Sequence, residues 1–238
     1  MSPSQTSLAT TLPMVPAELT RPRPRTVWRW TREQDLPLSR SKLARILDLA
    51  KDRDVLDVGC VGGRNERIED SSHARLSKVA RYCVGIDIVT DEVERRKVAG
   101  YNVEIADAED FHLGRTFDVI VAADVIEHLA NPGSFLARAR EHLRPSGVLC
   151  LVTPNALSLN NALKSLAGLQ VAINPEHTCC FDRKTLGELL TRCGFRVVEE
   201  YWQDYLKHPL TAMFLHFRKN LAAHLLVFAR PEWTVRPS

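Results

Sequence analysis

Val55-Leu-Asp-Val-Gly-Cys-Val-Gly-Gly63 is the stretch of sequence that decides the fold. Its first four residues extend a short apolar run of the kind that forms a buried strand. The glycines that follow predict a tight turn in which the backbone can lie close to a ligand, because glycine has no Cβ. A strand that ends in such a turn and leads into a helix is the basic unit of a parallel α/β sheet.

The alternation of strand and helix continues along the chain. Strands are predicted over 54–58, 82–86, 102–105, 117–121, 148–152, 195–200 and 225–229. Helices are predicted over about 43–50, 66–80, 91–98, 132–143, 182–193 and 209–220. This order predicts the fold class α/β: a doubly wound, mostly parallel sheet with helices on both faces and a last antiparallel strand.

Residues 1–36 differ in composition from the rest of the chain. They hold five of the thirteen prolines and the run Arg21-Pro-Arg-Pro-Arg25, which predicts a flexible arm. Trp28 and Trp30 leave open whether the arm docks on the domain, covers its pocket or binds a partner. We expect residues 37–238 to form one domain, in which the less regular segment 155–181 is a substrate lid.

The overall composition is that of an ordinary globular protein, with 45% hydrophobic and 26% charged residues and a net charge of +3. A charge this small does not indicate a nucleic-acid partner or a membrane surface. The six cysteines form no C-x-x-C pair, so we expect free thiols in a reducing, cytoplasmic compartment rather than disulfides or a zinc site. We find no apolar stretch of membrane-spanning length and no signal peptide.

Acidic residues follow three of the predicted strands. Asp57, Asp87 and Asp107 stand at or near the carboxyl ends of these strands, and doubly wound sheets bind ligands at this edge, where the strand order reverses. A dinucleotide site would need G-x-G-x-x-G, but counted from Gly59 two of the three positions hold Val61 and Arg64, which disfavours NAD. Each of the acids, taken alone, could equally cap a helix.

The turn at 55–63 resembles the first motif of class I S-adenosylmethionine-dependent methyltransferases, and segments 85–87 and 106–110 resemble the second and third. The resemblance implies S-adenosylmethionine as cofactor, with Asp57 at its ammonium group or a water, Asp87 at the ribose hydroxyls and Asp107 at the adenine. The cofactor-binding residues that we assign are Asp57, Gly59, Cys60, Gly62, Gly63, Asp87, Ile88, Asp107, Ala108 and Asp124. The family usually has glycine where this chain has Val61, and valine tolerates positive φ badly, so we expect negative φ there.

The run from Phe117 to Pro132 resembles the methyltransferases related to ubiquinone-pathway O-methyltransferases. Within it, Asp124, Glu127 and His128 would share one face of a helical turn. His128 and Glu127 are the candidate catalytic residues, with His128 as a general base on a substrate hydroxyl. Alternatively, Asp124, Glu127, His128 and His177 would bind a divalent metal, as a similar E-x-x-E-H pattern does in some relatives. In a third interpretation the Glu-His pair only orients its loop.

The fourth predicted strand ends in Ala122-Ala123-Asp124. It lacks the Asn-Pro-Pro-Tyr motif that marks many amide and base N-methyltransferases, which favours oxygen as the methyl acceptor. The predicted substrate is a small metabolite, a sugar or a lipid-like molecule; methylation of an RNA-terminal ribose is less favoured. The alternative function is a non-catalytic S-adenosylmethionine-binding or partner subunit, for which Val61 is the main support.

Overall fold

The structure, a computed structural model, describes residues 36–39, 41–62, 67–171, 174–204, 213, 215 and 217–233. The predictions for the arm at 1–35, for Gly63 and for most of the helix at 209–220 lie outside these residues.

The described residues form eight strands and six α-helices. The seven predicted strands appear in the predicted order, while the strand Leu38–Ser39 and the helix Leu159–Leu166 were not predicted. The strands are β1 (Leu38–Ser39), β2 (Asp54–Val58), β3 (Tyr82–Asp87), β4 (Val103–Ile105), β5 (Phe117–Ala123), β6 (Leu143–Pro154), β7 (Phe195–Gln203) and β8 (His224–Pro231). The helices are α1 (Lys42–Ala50), α2 (Ser72–Val79), α3 (Thr90–Val98), α4 (Pro132–His142), α5 (Leu159–Leu166) and α6 (Arg183–Arg192). Three short 3₁₀ turns cover Ile68–Asp70, Ile126–His128 and Lys219–Leu221.

All eight strands join one sheet in the order β1-β7-β8-β6-β5-β2-β3-β4. Neighbouring strands are parallel, except that β8 runs antiparallel to both β6 and β7. The predicted fold class is confirmed, including the antiparallel last strand. The strand order reverses between β2 and β5, so the edge formed by the carboxyl ends of these two strands is the expected ligand crevice.

The central strands are buried on both faces, as parallel strands between two layers of helices must be. Alternate residues of β2 therefore serve two different cores: Leu56 and Val58 pack on one face, and Val55 packs on the other. Cys83 and Cys150 belong to the second core, and burial raises the pKa of the Cys83 thiol to about 12. Both are free thiols that pack as small apolar residues, as the sequence predicts.

Two predicted details differ from the structure. Strand β6 begins at Leu143 and not at the predicted residue 148, and the β5–β6 pairing is interrupted where the register moves from Leu143 to Val148. The segment 155–181 contains helix α5, which has no buried residue. Within the described part of the chain, every helix is too short or too polar to cross a membrane.

Candidate active site

A cavity of about 730 Å³ opens at the carboxyl ends of the central strands. This volume is that of a typical small-molecule site. Of the residues assigned from sequence, its wall contains Asp57, Gly59, Cys60, Gly62, Asp87, Ile88, Asp107, Ala108, Asp124 and His128. The residues assigned from three separate motifs therefore meet at one place.

The glycine-rich turn after β2 forms one wall of the cavity. Gly59 and Gly62 have φ angles of +76° and +66°, which side chains rarely tolerate. A Cβ on Gly59 would also lie 2.5 Å from Cγ2 of Val125, so the chain needs glycine there. Val61 is not among the residues with positive φ, which confirms the expectation for this departure from the family pattern.

Asp57, the next-to-last residue of β2, contacts a buried histidine of helix α2. Its Oδ2 lies 3.0 Å from Nδ1 of His73 on α2, and both side chains are buried. A Cβ on Gly85 would come within 2.8 Å of His73, so the glycine of the second motif makes room for this ring. His73 lies between Ser72 and Ala74 in an ordinary helix of mixed composition, and nothing in the sequence marks it as part of the site.

Asp87 ends β3 and accepts two backbone hydrogen bonds. Oδ2 accepts from the amide of Val61 at 3.0 Å, and Oδ1 accepts from the amide of Val89 at 3.1 Å. A carboxylate has about four acceptor positions, so both oxygens can accept further bonds from a ligand. Asp107 is arranged similarly, since its Oδ1 accepts from the amide of Glu109 at 2.8 Å.

Asp124 follows β5 in the left-handed conformation, with φ of +57°. Its amide donates to the carbonyl of Val152, and its Oδ2 forms an ion pair with Nζ of Lys42. Lys42 is the first residue of α1, which Ser41 caps, and its side chain reaches the cavity wall. Among the described residues, Oδ1 of Asp124 has no hydrogen-bond partner, and Nε2 of His224 lies 4.0 Å from it.

Glu127 and His128 lie in the 3₁₀ turn beside this wall. Glu127 is buried, and its Oε2 accepts from the Thr153 hydroxyl at 3.0 Å. Its Oε1 is buried without a hydrogen-bond partner in the described part of the chain. Burial raises the pKa of Glu127, and the negative charge of Asp124 adds to this shift.

His128 is oriented by a backbone carbonyl and packs against a second histidine. Its Nδ1 lies 3.3 Å from the carbonyl oxygen of Glu176, which also lines the cavity. Donation from Nδ1 leaves Nε2 as the basic nitrogen of the neutral ring. The rings of His128 and His177 are nearly perpendicular, with centroids 4.6 Å apart. Burial, and then the neighbouring His128, lower the pKa of His177.

The four residues predicted as metal ligands do not all come together. Ligand atoms of Glu127, His128 and His177 lie within 4.8 Å of one another, and Asp124 is not in this group. The prediction that Asp124 shares a helical face with the other two is wrong, because its left-handed backbone precedes the 3₁₀ turn. Neither Glu127 nor His177 lines the cavity, so His128 connects the cluster to it.

A family model described as a methyltransferase domain matches residues 29–200. The chain belongs to the class I S-adenosylmethionine-dependent methyltransferases. The motifs at 55–63, 85–87 and 106–110 predicted this family.

Individual relatives agree with this family. A protein of Mycolicibacterium smegmatis, whose name assigns it to the S-adenosylmethionine-dependent methyltransferases, is 30% identical over 61% of this chain and 52% of its own length. A ubiquinone biosynthesis O-methyltransferase of Azorhizobium caulinodans is 32% identical over 52% of this chain and 47% of its own length. This methyltransferase thus spans about half the length of these two curated relatives. Its fold matches a solved S-adenosylmethionine-dependent methyltransferase from Archaeoglobus fulgidus with a TM-score of 0.59, at 20% identity over 79% of this chain and 90% of the other.

Proposed function

We propose that this methyltransferase transfers the methyl group of S-adenosylmethionine to a hydroxyl oxygen of a small metabolite, sugar or lipid-like acceptor, with His128 as the base. One observation carries the proposal. His128, oriented through Nδ1 by the Glu176 carbonyl, lines the same cavity as the glycine-rich turn at Gly59 and Gly62. A single pocket therefore offers a surface for the methyl donor and a basic nitrogen for the acceptor.

The donor half of the cavity suits S-adenosylmethionine. At the glycine-rich turn a ligand can lie close to the backbone. The carboxylates of Asp57 and Asp87 line the same cavity. In this proposal Asp87 accepts from the ribose hydroxyls, while Asp57, held 3.0 Å from Nδ1 of His73, faces the ammonium group. Asp107 and Ala108 contribute to the wall where the adenine would bind. Cys60, Gly63, Ile88 and Asp124 complete the assigned cofactor set.

The chemical step is a direct displacement that needs few protein groups. The acceptor oxygen attacks the methyl carbon, the carbon–sulfur bond breaks, and its electron pair stays on sulfur, which becomes a neutral thioether. The hydroxyl proton moves to Nε2 of His128, and such general-base assistance contributes about 10²–10⁴ in rate. Positioning of donor and acceptor supplies most of the remaining acceleration. Glu127 supports the turn that carries His128.

Two features support oxygen as the acceptor atom. Strand β5 ends in Ala122-Ala123 and is followed by Asp124, so this position offers no Asn-Pro-Pro-Tyr motif for a planar amino group. Two relatives, from Azorhizobium caulinodans and Haemophilus ducreyi, are named ubiquinone biosynthesis O-methyltransferases. A hydroxyl on a compact, partly apolar molecule is the acceptor class that these features favour.

A metal-assisted form of the same reaction is the second candidate. Glu127, His128 and His177 offer one carboxylate and two imidazoles within 4.8 Å, and Oε1 of Glu127, which has no hydrogen-bond partner among the described residues, fits a cation. Mixed oxygen and nitrogen ligands suit manganese, iron or zinc better than magnesium. A bound cation would lower the pKa of an acceptor hydroxyl. Among the described residues, these three side chains form the candidate ligand set, and Asp124 pairs instead with Lys42.

Calorimetry followed by a turnover assay tests the proposal. S-adenosylmethionine and its demethylated product should bind, and NAD should not. Transfer of radiolabelled methyl should then occur to a member of a panel of catechols, sugars and isoprenoid phenols, and not to RNA. Binding without turnover on any hydroxyl acceptor would instead support the non-catalytic subunit.

Chelation separates the two candidate forms of the reaction. Dialysis against EDTA, with metal content measured by mass spectrometry, should leave cofactor binding intact in both. If turnover survives in metal-free protein and falls in His128→Ala, the base mechanism holds. If turnover is lost with the metal and His177→Ala no longer retains metal, the cation is required.

A further inference from the structure

Val61 is held at three points by residues 87–96, which run from the last residue of β3 into helix α3. Its amide donates to Oδ2 of Asp87 at 3.0 Å, and its carbonyl accepts from Nη2 of Arg96 at 2.6 Å. Its side chain is buried in a small cluster that includes Val93 of α3. The end of β3 and helix α3 therefore fix the two peptide groups that flank Val61 and the side chain between them.

Arg96 is an unusual residue to find in this place, because its side chain is 2% exposed. Nη1 is paired with Oε2 of Glu92 at 2.9 Å, one helical turn earlier, and Nη2 is the group that reaches Val61. Among the described residues, Nε has no hydrogen-bond partner. Burying a guanidinium that is only partly satisfied is costly. An apolar residue would fill the same space at a lower cost, which points to a role for the charge.

We call the contacts of Asp87, Val93 and Arg96 with Val61 the clamp. The composition of the turn explains why it is needed. Gly59 and Gly62 both use positive φ, so the peptide between them is flanked by the two most permissive residues of the segment. Valine at position 61 does not adopt positive φ readily, because its side chain is branched at Cβ. The orientation of its amide and carbonyl then depends on partners outside the turn.

We propose that Arg96 is a positioning residue of the cofactor site: it fixes the Val61 carbonyl, and with it the turn from Gly59 to Gly62 that receives the donor. This inference rests on the proposed binding of S-adenosylmethionine. The clamp also couples the binding of two parts of that ligand, because Asp87 belongs both to the proposed ribose site and to the clamp. Cofactor contacts at Asp87 and at the turn then strengthen each other through Val61.

The test compares two neighbouring arginines of α3. Arg96→Met keeps an unbranched apolar stem and removes the donor to Val61. Arg95→Met is the matched control, since Arg95 also pairs with Glu92 but its side chain is 64% exposed and makes no contact with the turn in the described structure. By calorimetry, Arg96→Met should raise the Kd for S-adenosylmethionine about tenfold, equivalent to about 1.4 kcal/mol. Arg95→Met should bind as the unchanged protein does.

Two further measurements keep the result interpretable. Arg96→Lys retains one charged donor, so it should recover part of the affinity, and it serves if Arg96→Met does not fold. Hydrogen exchange of the amides at 59–62, measured without cofactor, should accelerate in Arg96→Met and not in Arg95→Met. Equal affinity and equal exchange in all three variants would overturn the role of Arg96. Failure of the unchanged protein to bind S-adenosylmethionine would instead overturn the proposed function, while the exchange data would still report on the clamp.

Discussion

Charged residues are hydrogen-bonded differently at the two edges of the parallel sheet. We call the edge where the parallel strands begin the amino edge, and the edge where they end the carboxyl edge. At the amino edge, Asp54 and Asp118 face Arg81 and Arg144 across the starts of neighbouring strands. Each arginine bridges both carboxylates, at distances of 2.6–3.1 Å, and all four carboxylate oxygens have a guanidinium partner. The Asp54 amide also donates to Asp118 at 2.9 Å.

The carboxyl edge leaves charged and polar atoms unsatisfied. Among the described residues, Oδ1 of Asp124, Oε1 of Glu127 and Nε2 of His73 are buried without hydrogen-bond partners. Folding alone gives no reason to keep such atoms, because unpaired buried groups destabilise a protein. The comparison assigns stability to the amino edge and ligand chemistry to the carboxyl edge, in accord with where doubly wound sheets bind ligands.

The largest effect should come from the base at the carboxyl edge. We expect His128→Ala to lower kcat by about 10²–10⁴, the usual contribution of a general base, with little change in the Kd for S-adenosylmethionine. His112→Ala, at an exposed histidine away from the cavity, is the control. Steady-state rates of labelled methyl transfer measure both. A His128 variant with unchanged kcat would remove the base from the proposal.

The next largest effect should come from Asp87. Asp87→Ala removes the proposed ribose acceptor and the partner of the Val61 amide together. Losing an acceptor for buried donors costs about 1–3 kcal/mol, so the Kd for S-adenosylmethionine should rise roughly 10- to 100-fold by calorimetry. Asp91→Ala, at an exposed acid of α3, should bind normally. If both variants bind alike, Asp87 is not part of the cofactor site.

The sequence predicted the fold and those site residues that lie at the ends of strands, because both depend on local patterns. Asp57, Asp87 and Asp107 could be found because each lies at or near the carboxyl end of a strand, and the alternation of strands and helices predicts the direction of these strands. Lys42, His73 and Arg96 were missed. Lys42 meets Asp124 across 82 positions and Arg96 meets Val61 across 35, and no local pattern reports such pairs.

The one wrong placement also has a local cause. Spacing alone put Asp124 on a helical face with Glu127 and His128, but periodicity carries no information about a single residue with φ of +57°. Asp can adopt this conformation more readily than most residues. The metal hypothesis consequently loses Asp124 and keeps His177, whose approach depends on the fold of the segment 155–181.

A smaller effect, on stability alone, should follow from removing one of the two arginines at the amino edge. Arg144→Met leaves Asp54 and Asp118 facing each other with one arginine fewer. It should lower Tm at pH 7 without changing the Kd for S-adenosylmethionine, which scanning calorimetry and titration would measure. A loss of cofactor affinity without a loss of Tm would reverse the roles that we assign to the two edges.

The pH dependence of this loss follows from the two carboxyl groups. Hydrogen bonds from Arg81 and then Arg144 hold the pKa of Asp54 below its ordinary value. Burial acts to raise the pKa of Asp118, but the Asp54 amide and Arg144 outweigh it and lower the value. Groups with lowered pKa stabilise the fold above their unfolded value, about 3.9, and lose this contribution as pH falls through the folded value. The Tm difference between Arg144→Met and the unchanged protein should therefore be full at pH 7 and shrink below about pH 4.

The smallest effect on stability should come from the ion pair at the carboxyl edge. Asp124→Asn keeps a residue that tolerates the left-handed region and removes the charge that faces Lys42. The side chains of Lys42 and Asp124 are 21% and 39% exposed, so the loss should stay below about 1 kcal/mol in urea denaturation. Asp124→Gly removes the same charge and also the cost of a side chain at φ of +57°, about 1 kcal/mol. It should therefore be at least as stable as Asp124→Asn. If Asp124→Asn lowers Tm as much as Arg144→Met does, the carboxyl edge holds the fold as strongly as the amino edge, and the division of roles between them fails.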